Sequence, residues 1–368
     1  MRVSRQLRIV HLDTGQGLRG GQRQLLLLAR GLRQRSHSQL IVCPEGSELE
    51  GRARQTGFEV FALPAHDPAN AHGILQLRQH LLAAPHDILH AHDGRAQTLA
   101  WLASLGMTVR RVASRRVTFL PSNRWSHRLK YAYTCDAVVA VSDFIRQLLV
   151  SAGVPESKIE IIPDGIEIPA ELPTAAARSQ LRAQWGLGEQ EFLVGHLGAF
   201  TPEKGQDVAL DALLGLAERL PQARLLLAGD GPTRSSPAIT HKVERARGRA
   251  QLCGTIEDLS EFFSALDLFV MPSRAEGLGS SALLAMAYGL PVVASRVGGL
   301  PEIVVEGETG WLVPPGSAAA LAGAIVAAAS DRSRVVQVGR NARERARQFA
   351  AAIMVERTEA LYSRLLSR

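Results

Sequence analysis

A chain of 368 residues, 46% hydrophobic and 21% charged, is too long for one ordinary core and too apolar for disorder, so two globular domains are expected. Three scattered cysteines, Cys43, Cys135 and Cys253, give neither a disulfide framework nor zinc-ligand spacing; they fit a reducing, cytoplasmic setting. The net charge of +7 suits an anionic partner, but with only 5% aromatics and no nucleic-acid motif it argues for phosphates or an anionic membrane face and against nucleic acid.

The opening MRVSRQLRIVHLD is basic but has no cleavage site, so it reads as a first strand and not as a signal peptide. No run approaches the roughly 20 apolar residues of a membrane span. The first half then alternates short β-rich runs (7–13, 39–44, 58–64, 87–92, 110–114 and 137–142) with amphipathic stretches, which predicts parallel strands and crossover helices. Prolines and a glycine break the pattern, placing a linker at 163–178. The alternation restarts at 192–198, 223–229, 249–254, 267–273, 291–295 and 310–314. Residues 343–368 read as one long helix with no strand after it. The expected fold is therefore α/β with two doubly wound, Rossmann-like sheets, one over 1–165 and one over 166–345, and a C-terminal helix at 346–368 packing back across the domains.

The polar turns carry the chemistry. After the first run, DTGQGLRGGQRQ sets glycines at 15, 17, 20 and 21. GQGLRG also fits a dinucleotide fingerprint, but the second run closes on Cys43-Pro44 without the acidic residue that reading needs. In DILHAHDGRAQT, His90 and His92 share a face if the strand continues that far. They can serve a substrate, hold structure, or ligate a metal, although no third ligand has diagnostic spacing. Further on, Arg115, Arg116, Arg124, Arg128 and Lys130 form a basic cluster that suits a phosphate, an anionic sugar or a membrane face, or is simply a solvated surface. Arg115 and Arg116 follow a strand and are the candidates for acceptor binding.

Past the linker, GAFTPEKG (198–205) places Lys204 just before a helix, where its ammonium can neutralise a diphosphate leaving group or merely sit in solvent. In PSRAEGLGSSALLAMAYGLPVVAS (272–295), Glu276 precedes a glycine turn that opens a helix. The amides of Leu278, Gly279, Ser280 and Ser281 can hold phosphate oxygens there, although glycine and serine are also ordinary helix caps.

Taken in order, VVAVSDFIRQLL (138–149), IIPDGIEI (161–168), GAFTPEKG, LLLAGDGP (225–232), CGTIEDLSEFFSALDLFVMPS (253–273), AMAYGLPVVAS (285–295) and VGGLPEIVVEGETGWLVPP (297–315) resemble glycosyltransferase family 4, the retaining group 1 enzymes. The resemblance implies the GT-B fold, two Rossmann-like domains facing across a cleft, with the acceptor on the first and the donor on the second. It implies metal-independent, retaining transfer from a nucleotide diphosphate sugar of the UDP, GDP or ADP type, with no further cofactor. By the same resemblance Glu276 contacts the transferred sugar, Lys204 the diphosphate, His92 the region of the reacting carbon, and Ile256 the base. Gly298 and Gly299 would support the base pocket, and Gly20 and Gly21 stand where the family's glycine pair meets the donor phosphates. Two positions depart from the family pattern: Ala199 replaces an expected Arg, and Leu284 a second acid that typically holds the ribose. The expected acceptor is a glycan or lipid-linked glycan in cell-envelope synthesis of the lipopolysaccharide type, at the inner membrane face. The alternatives are a catalytically impaired nucleotide-sugar-binding protein, for which Ala199 and Leu284 argue, or an epimerase or glycosyl phosphorylase on the same architecture.

Overall fold

The computed structural model describes residues 5–118, 130–188, 190–256 and 258–367. Strands form where runs of β-branched and aliphatic residues are buried on both faces, as in Ala-Val-Val-Ala at 137–140 and Leu-Phe-Val-Met at 268–271, where every residue is buried. The chain divides into two units, residues Met1–Gly165 with Ala351–Arg368, and residues Ile166–Ala350.

The first unit holds β1 (Arg8–Leu12), β2 (Ser38–Pro44), β3 (Glu59–Leu63), β4 (Ile88–Ala91), β5 (Arg110–Arg115), β6 (Ala137–Ala140) and β7 (Ile159–Ile161). They form one parallel sheet in the order β3-β2-β1-β4-β5-β6-β7. The second unit holds β8 (Phe192–Leu197), β9 (Ala223–Ala228), β10 (Ala250–Gly254), β11 (Leu268–Met271), β12 (Val292–Ser295) and β13 (Gly310–Val313), also parallel, in the order β10-β9-β8-β11-β12-β13. Both are doubly wound Rossmann-like sheets. The order reverses between β1 and β4 in one and between β8 and β11 in the other, and ligands of such sheets bind beyond the carboxyl ends at that point.

Three sequence expectations are corrected. β7 lies in what reads as the approach to the linker, because a three-residue, half-buried edge strand carries little pattern. The linker is also shorter than expected. A helix already begins at Ala175, capped by Thr174, and its Arg178 and Arg182 reach Asp267 at 2.6 and 3.0 Å. Finally, the single C-terminal helix is two, Arg332–Arg347 and Ala351–Leu366. Ile166 donates to Phe349 O at 2.9 Å and bridges to Ala350, a strand-like pairing that a continuous helix would forbid.

Helix Ala351–Leu366 packs on helix Gly20–Gln34 so closely that a Cβ on Gly31 would lie 2.3 Å from Val355. Its Met354, Val355, Leu361 and Tyr362 share a core with Ile9, Leu28, Leu32 and Val112. No helix among the described residues is long and apolar enough to cross a membrane.

Candidate active site

In the second unit, the chain leaves β8 through Gly198 and Ala199 and makes a short turn at Pro202–Lys204. Gly205 then adopts φ 72°, and a Cβ there would stand 2.1 Å from Pro272 O, so only glycine lets this turn lie against the one that follows β11. Arg274 fastens the two, its amide donating to Glu203 O at 2.7 Å and its guanidinium gripping Asp207 at 2.8 and 2.6 Å. The result brings Lys204 Nζ to 2.7 Å from Glu276 Oε2, across 72 residues of sequence. Ser273 Oγ also approaches that oxygen, at 3.4 Å.

Glu276 is held from behind. Gly298 takes φ 56°, and a Cβ on it would fall 1.8 Å from Glu276 O, while Gly299 N donates to the same carbonyl at 3.3 Å. Gly279 caps helix Ser280–Ala287 with φ 105°. The first intrahelical bonds are those of Ala282 and Leu283 to Gly279 O, so the amides of Ser280 and Ser281 lie ahead of the ladder. Leu278 and Gly279 are buried, and Ser280 and Ser281 are half-buried. Ile256 is half-buried beyond the end of β10, and Leu284 lies half-buried on the helix. Glu302 lies within helix Leu300–Ile303.

Sequence reading passed over His196. Fully buried on β8, it donates through Nδ1 to Val270 O at 3.0 Å, and its Nε2 has no partner. Burial pushes its pKa down to about 4, opposed by the Val270 bond. A Cβ on Gly198 would sit 3.3 Å from that Nε2 and 3.8 Å from Lys204 Cγ, so this neutral ring underlies the lysine turn.

In the first unit, Asp13 ends β1 and organises the glycine turn. Its Oδ1 accepts from Gly15 N and Gln22 Nε2, both at 2.8 Å, and Gln22 Oε1 accepts from Arg19 N at 3.0 Å. Burial, aided by the nearby Asp93, raises the Asp13 pKa to about 6. Gly20 and Gly21 open helix Gly20–Gln34, Gly20 exposed and Gly21 with open space where a Cβ would be. Asp93 caps helix Gly94–Ala103 and also accepts from Thr14 N at 2.5 Å.

His92 follows β4, donates its amide to Leu12 O at 2.8 Å and is buried. It stacks on His90 with ring centroids 4.3 Å apart, so the two rings do share a face. The sequence offered no third ring, but the sheet supplies His11 from β1; nitrogens of His11, His90 and His92 lie within 4.8 Å of one another. His90 is engaged at both nitrogens, by Tyr362 OH at 2.6 Å and Ser114 Oγ at 2.8 Å.

The two arginines are less open than expected. Arg115 is buried and donates to Tyr131 OH at 3.2 Å, and Arg116 Nε pairs with Asp164 at 2.8 Å. Asp164, from the IIPDG segment, is a neighbour that sequence spacing does not reveal. Lys130 Nζ bonds Gly94 O, while Arg124 and Arg128 lie outside the described residues.

Two parallel Rossmann-like sheets in one chain, each with polar turns where its strand order reverses, make the two-domain architecture of the GT-B fold. A family model described as glycosyl transferases group 1 matches residues 191–331, and one described as Glycosyltransferase Family 4 matches residues 18–168. Among curated proteins, the chain is 30% identical over 353 residues to the GDP-mannose-dependent alpha-(1-6)-phosphatidylinositol monomannoside mannosyltransferase of Mycolicibacterium smegmatis, covering 87% of this chain and 88% of that one. It is 27% identical over 326 residues to the D-inositol 3-phosphate glycosyltransferase of Streptomyces avermitilis, covering 82% and 70%. In fold it is similar to the Anabaena protein HepE in complex with UDP and glucose, with a TM-score of 0.86, 23% identity, and coverage of 96% and 99%. The chain belongs to the group 1, family 4 glycosyltransferases.

Proposed function

We propose that this protein is a retaining glycosyltransferase that takes a sugar from a nucleotide diphosphate sugar and places it on a glycan or lipid-linked acceptor. The second unit binds the donor and the first the acceptor. The observation that carries the reading is the Lys204–Glu276 pair beside a glycine-opened helix, an ammonium and a row of amides ready for a diphosphate and a carboxylate ready for sugar hydroxyls. Similarity to a GDP-mannose-dependent enzyme favours GDP-mannose as the first donor to try, with UDP and ADP sugars next.

Breaking the bond from sugar to diphosphate builds negative charge on the leaving group and positive charge at the anomeric carbon. Lys204 and the amides of Leu278, Gly279, Ser280 and Ser281 stabilise the first, so no divalent ion is needed. Glu276 orients the sugar and His92 is the first unit's contribution to the reaction. Attack comes from the face the leaving group departs, with the diphosphate taking the proton of the acceptor hydroxyl, and configuration is retained. Ile256 neighbours the base, and Gly20 and Gly21 meet the donor phosphates. Arg115 and Arg116 serve an anionic acceptor, Arg116 by exchanging Asp164 for it. The net charge of +7 supports peripheral work at an anionic inner membrane face on an envelope glycan.

The test is thermal stabilisation by GDP, UDP and ADP, then nucleoside diphosphate release from their sugars with and without EDTA, and the anomeric configuration of the product. Stabilisation by none of the three, or an inverted product, would sink the reading. Failure to co-sediment with anionic vesicles at low salt would remove the membrane part alone.

A further inference from the structure

The strand order β2-β1-β4 sets three polar side chains of the first unit side by side: Gln39 from β2, His11 from β1, and His92 from just beyond β4. They form a hydrogen-bonded row. Gln39 Oε1 is 2.7 Å from His11 Nε2, and His11 Nδ1 is 3.0 Å from His92 Nε2. All three are buried.

The row has a direction. An amide oxygen only accepts, so His11 Nε2 carries the ring's proton. Burial keeps these rings neutral, pushing His11 down to about 4 and His92 well below its ordinary value. With one proton per ring, His11 Nδ1 has a lone pair and accepts from His92 Nε2–H. The same count leaves a lone pair on His92 Nδ1, to which no described residue donates. We infer that Gln39 and His11 are positioning residues that hold His92 in its Nε2–H tautomer, presenting Nδ1 as a hydrogen-bond acceptor for a sugar hydroxyl.

His90 supports the ring without disturbing the row, since it stacks on His92 and spends both nitrogens on hydroxyls that can donate or accept. A metal shared by the three rings fits less well, because it needs free lone pairs converging from all of them. His92 Nδ1 is shielded from solvent, so a hydroxyl that reaches it displaces what covers it and satisfies a buried acceptor that is otherwise unmet. Turning the Gln39 amide over would reverse the row and make His92 Nδ1 a donor.

The inference rests on the reading of His92 as substrate-facing, and the experiment separates the two. In the full chain labelled with 15N-histidine, long-range proton–nitrogen spectra near neutral pH report which nitrogen of His92 is protonated, with His92→Ala identifying its signals. Expected is protonated Nε2 and bare Nδ1 in the wild type, and mixed or reversed protonation in Gln39→Met and His11→Leu. Nucleoside diphosphate release from GDP-mannose should fall about tenfold or more in both, as expected when one buried hydrogen bond to the substrate is lost. His11→Asn, whose Oδ1 keeps an acceptor near the Nδ1 position, should restore the tautomer. Finding Nδ1 protonated in the wild type, an unchanged tautomer in both variants, or a His92 signal that shifts on adding EDTA would overturn the inference. A tautomer change as stated, with full release in His92→Ala, would uphold the row and remove His92 from the substrate.

Discussion

The polar turns of the two units are built on opposite electrostatic plans. In the second, the central contact is an ion pair, Lys204 with Glu276, whose side chains keep 23% and 11% of their exposure. In the first, the central contact is a row of neutral, buried rings, with His11 wholly enclosed and His92 at 5% exposure. An ammonium that stays partly in water can trade a carboxylate for a diphosphate at small desolvation cost, whereas a buried ring cannot be charged cheaply. On the proposed reading, one unit is suited to exchanging ionic partners and the other to holding an orientation.

The contrast breaks most directly at the pair. Lys204→Ala and Glu276→Ala should each lower transfer by about 10²–10³-fold, the cost of losing one preorganised charge-stabilising group. Chemical denaturation should show that stability changes by only about 1 kcal/mol, as for a partly exposed pair. Wild-type transfer in either variant would mean the exchange plan is wrong.

Acid should separate the units next. His11 has a folded pKa of about 4, below the ordinary 6.5, so its contribution is present above pH 6.5 and lost as pH falls towards 4. For His11 that contribution is on the order of 3 kcal/mol. Burial also pushes His90 and His92 of the first unit well below the ordinary value, and the second unit carries His196, lowered to about 4. Asp13 opposes them: raised from 3.8 to about 6, it adds stability that is full below pH 3.8 and lost as pH rises through 6. The rings outweigh it, so amides of β1 and β4 should lose hydrogen-exchange protection at higher pH than those of β8 and β11. The reverse order would contradict the plan assigned to the first unit.

Backbone support differs as well. Gly298→Ala drives a Cβ into Glu276 O in a left-handed conformation and should cost about 2–3 kcal/mol. Gly15→Ala meets the end of the Gln22 side chain, which can move, and should cost about 1 kcal/mol. Urea midpoints decide between equal and unequal costs. The smallest effect is a gain, since Ala199→Arg adds the cation expected from the family pattern and should lower the half-saturating donor concentration by roughly fivefold. An unchanged value would show that Lys204 and the helix amides suffice.

Much of this was legible in the chain itself. The twelve runs read from the sequence fall within two residues of twelve strands, because fully buried parallel strands are near-continuous apolar stretches bounded by turns. Lys204 and Glu276 were singled out separately, but their contact depends on Gly205 and Arg274 fastening two turns, which spacing along the chain cannot express. His11, Gln39 and Asp164 were missed for the same reason. Each matters through a partner at least 28 residues away that sheet order alone brings near, as His11 does with Gln39. The break at 348–350 was hidden because its cause is the distant amide of Ile166.

The helix Ala351–Leu366 has a consequence for how the protein is made. The sheet it covers is synthesised first, yet Met354, Val355 and Tyr362, which close the face formed by Ile9, Leu28, Leu32 and Val112, are synthesised after the whole second unit. During translation the first unit therefore waits with an apolar flank open and with His90 lacking its Tyr362 partner, while every residue of the second unit has already been synthesised. A ribosome stalled before residue 351 would hold a nascent chain that chaperones should bind, and emergence of Ala351–Leu366 is the step that ends that exposure.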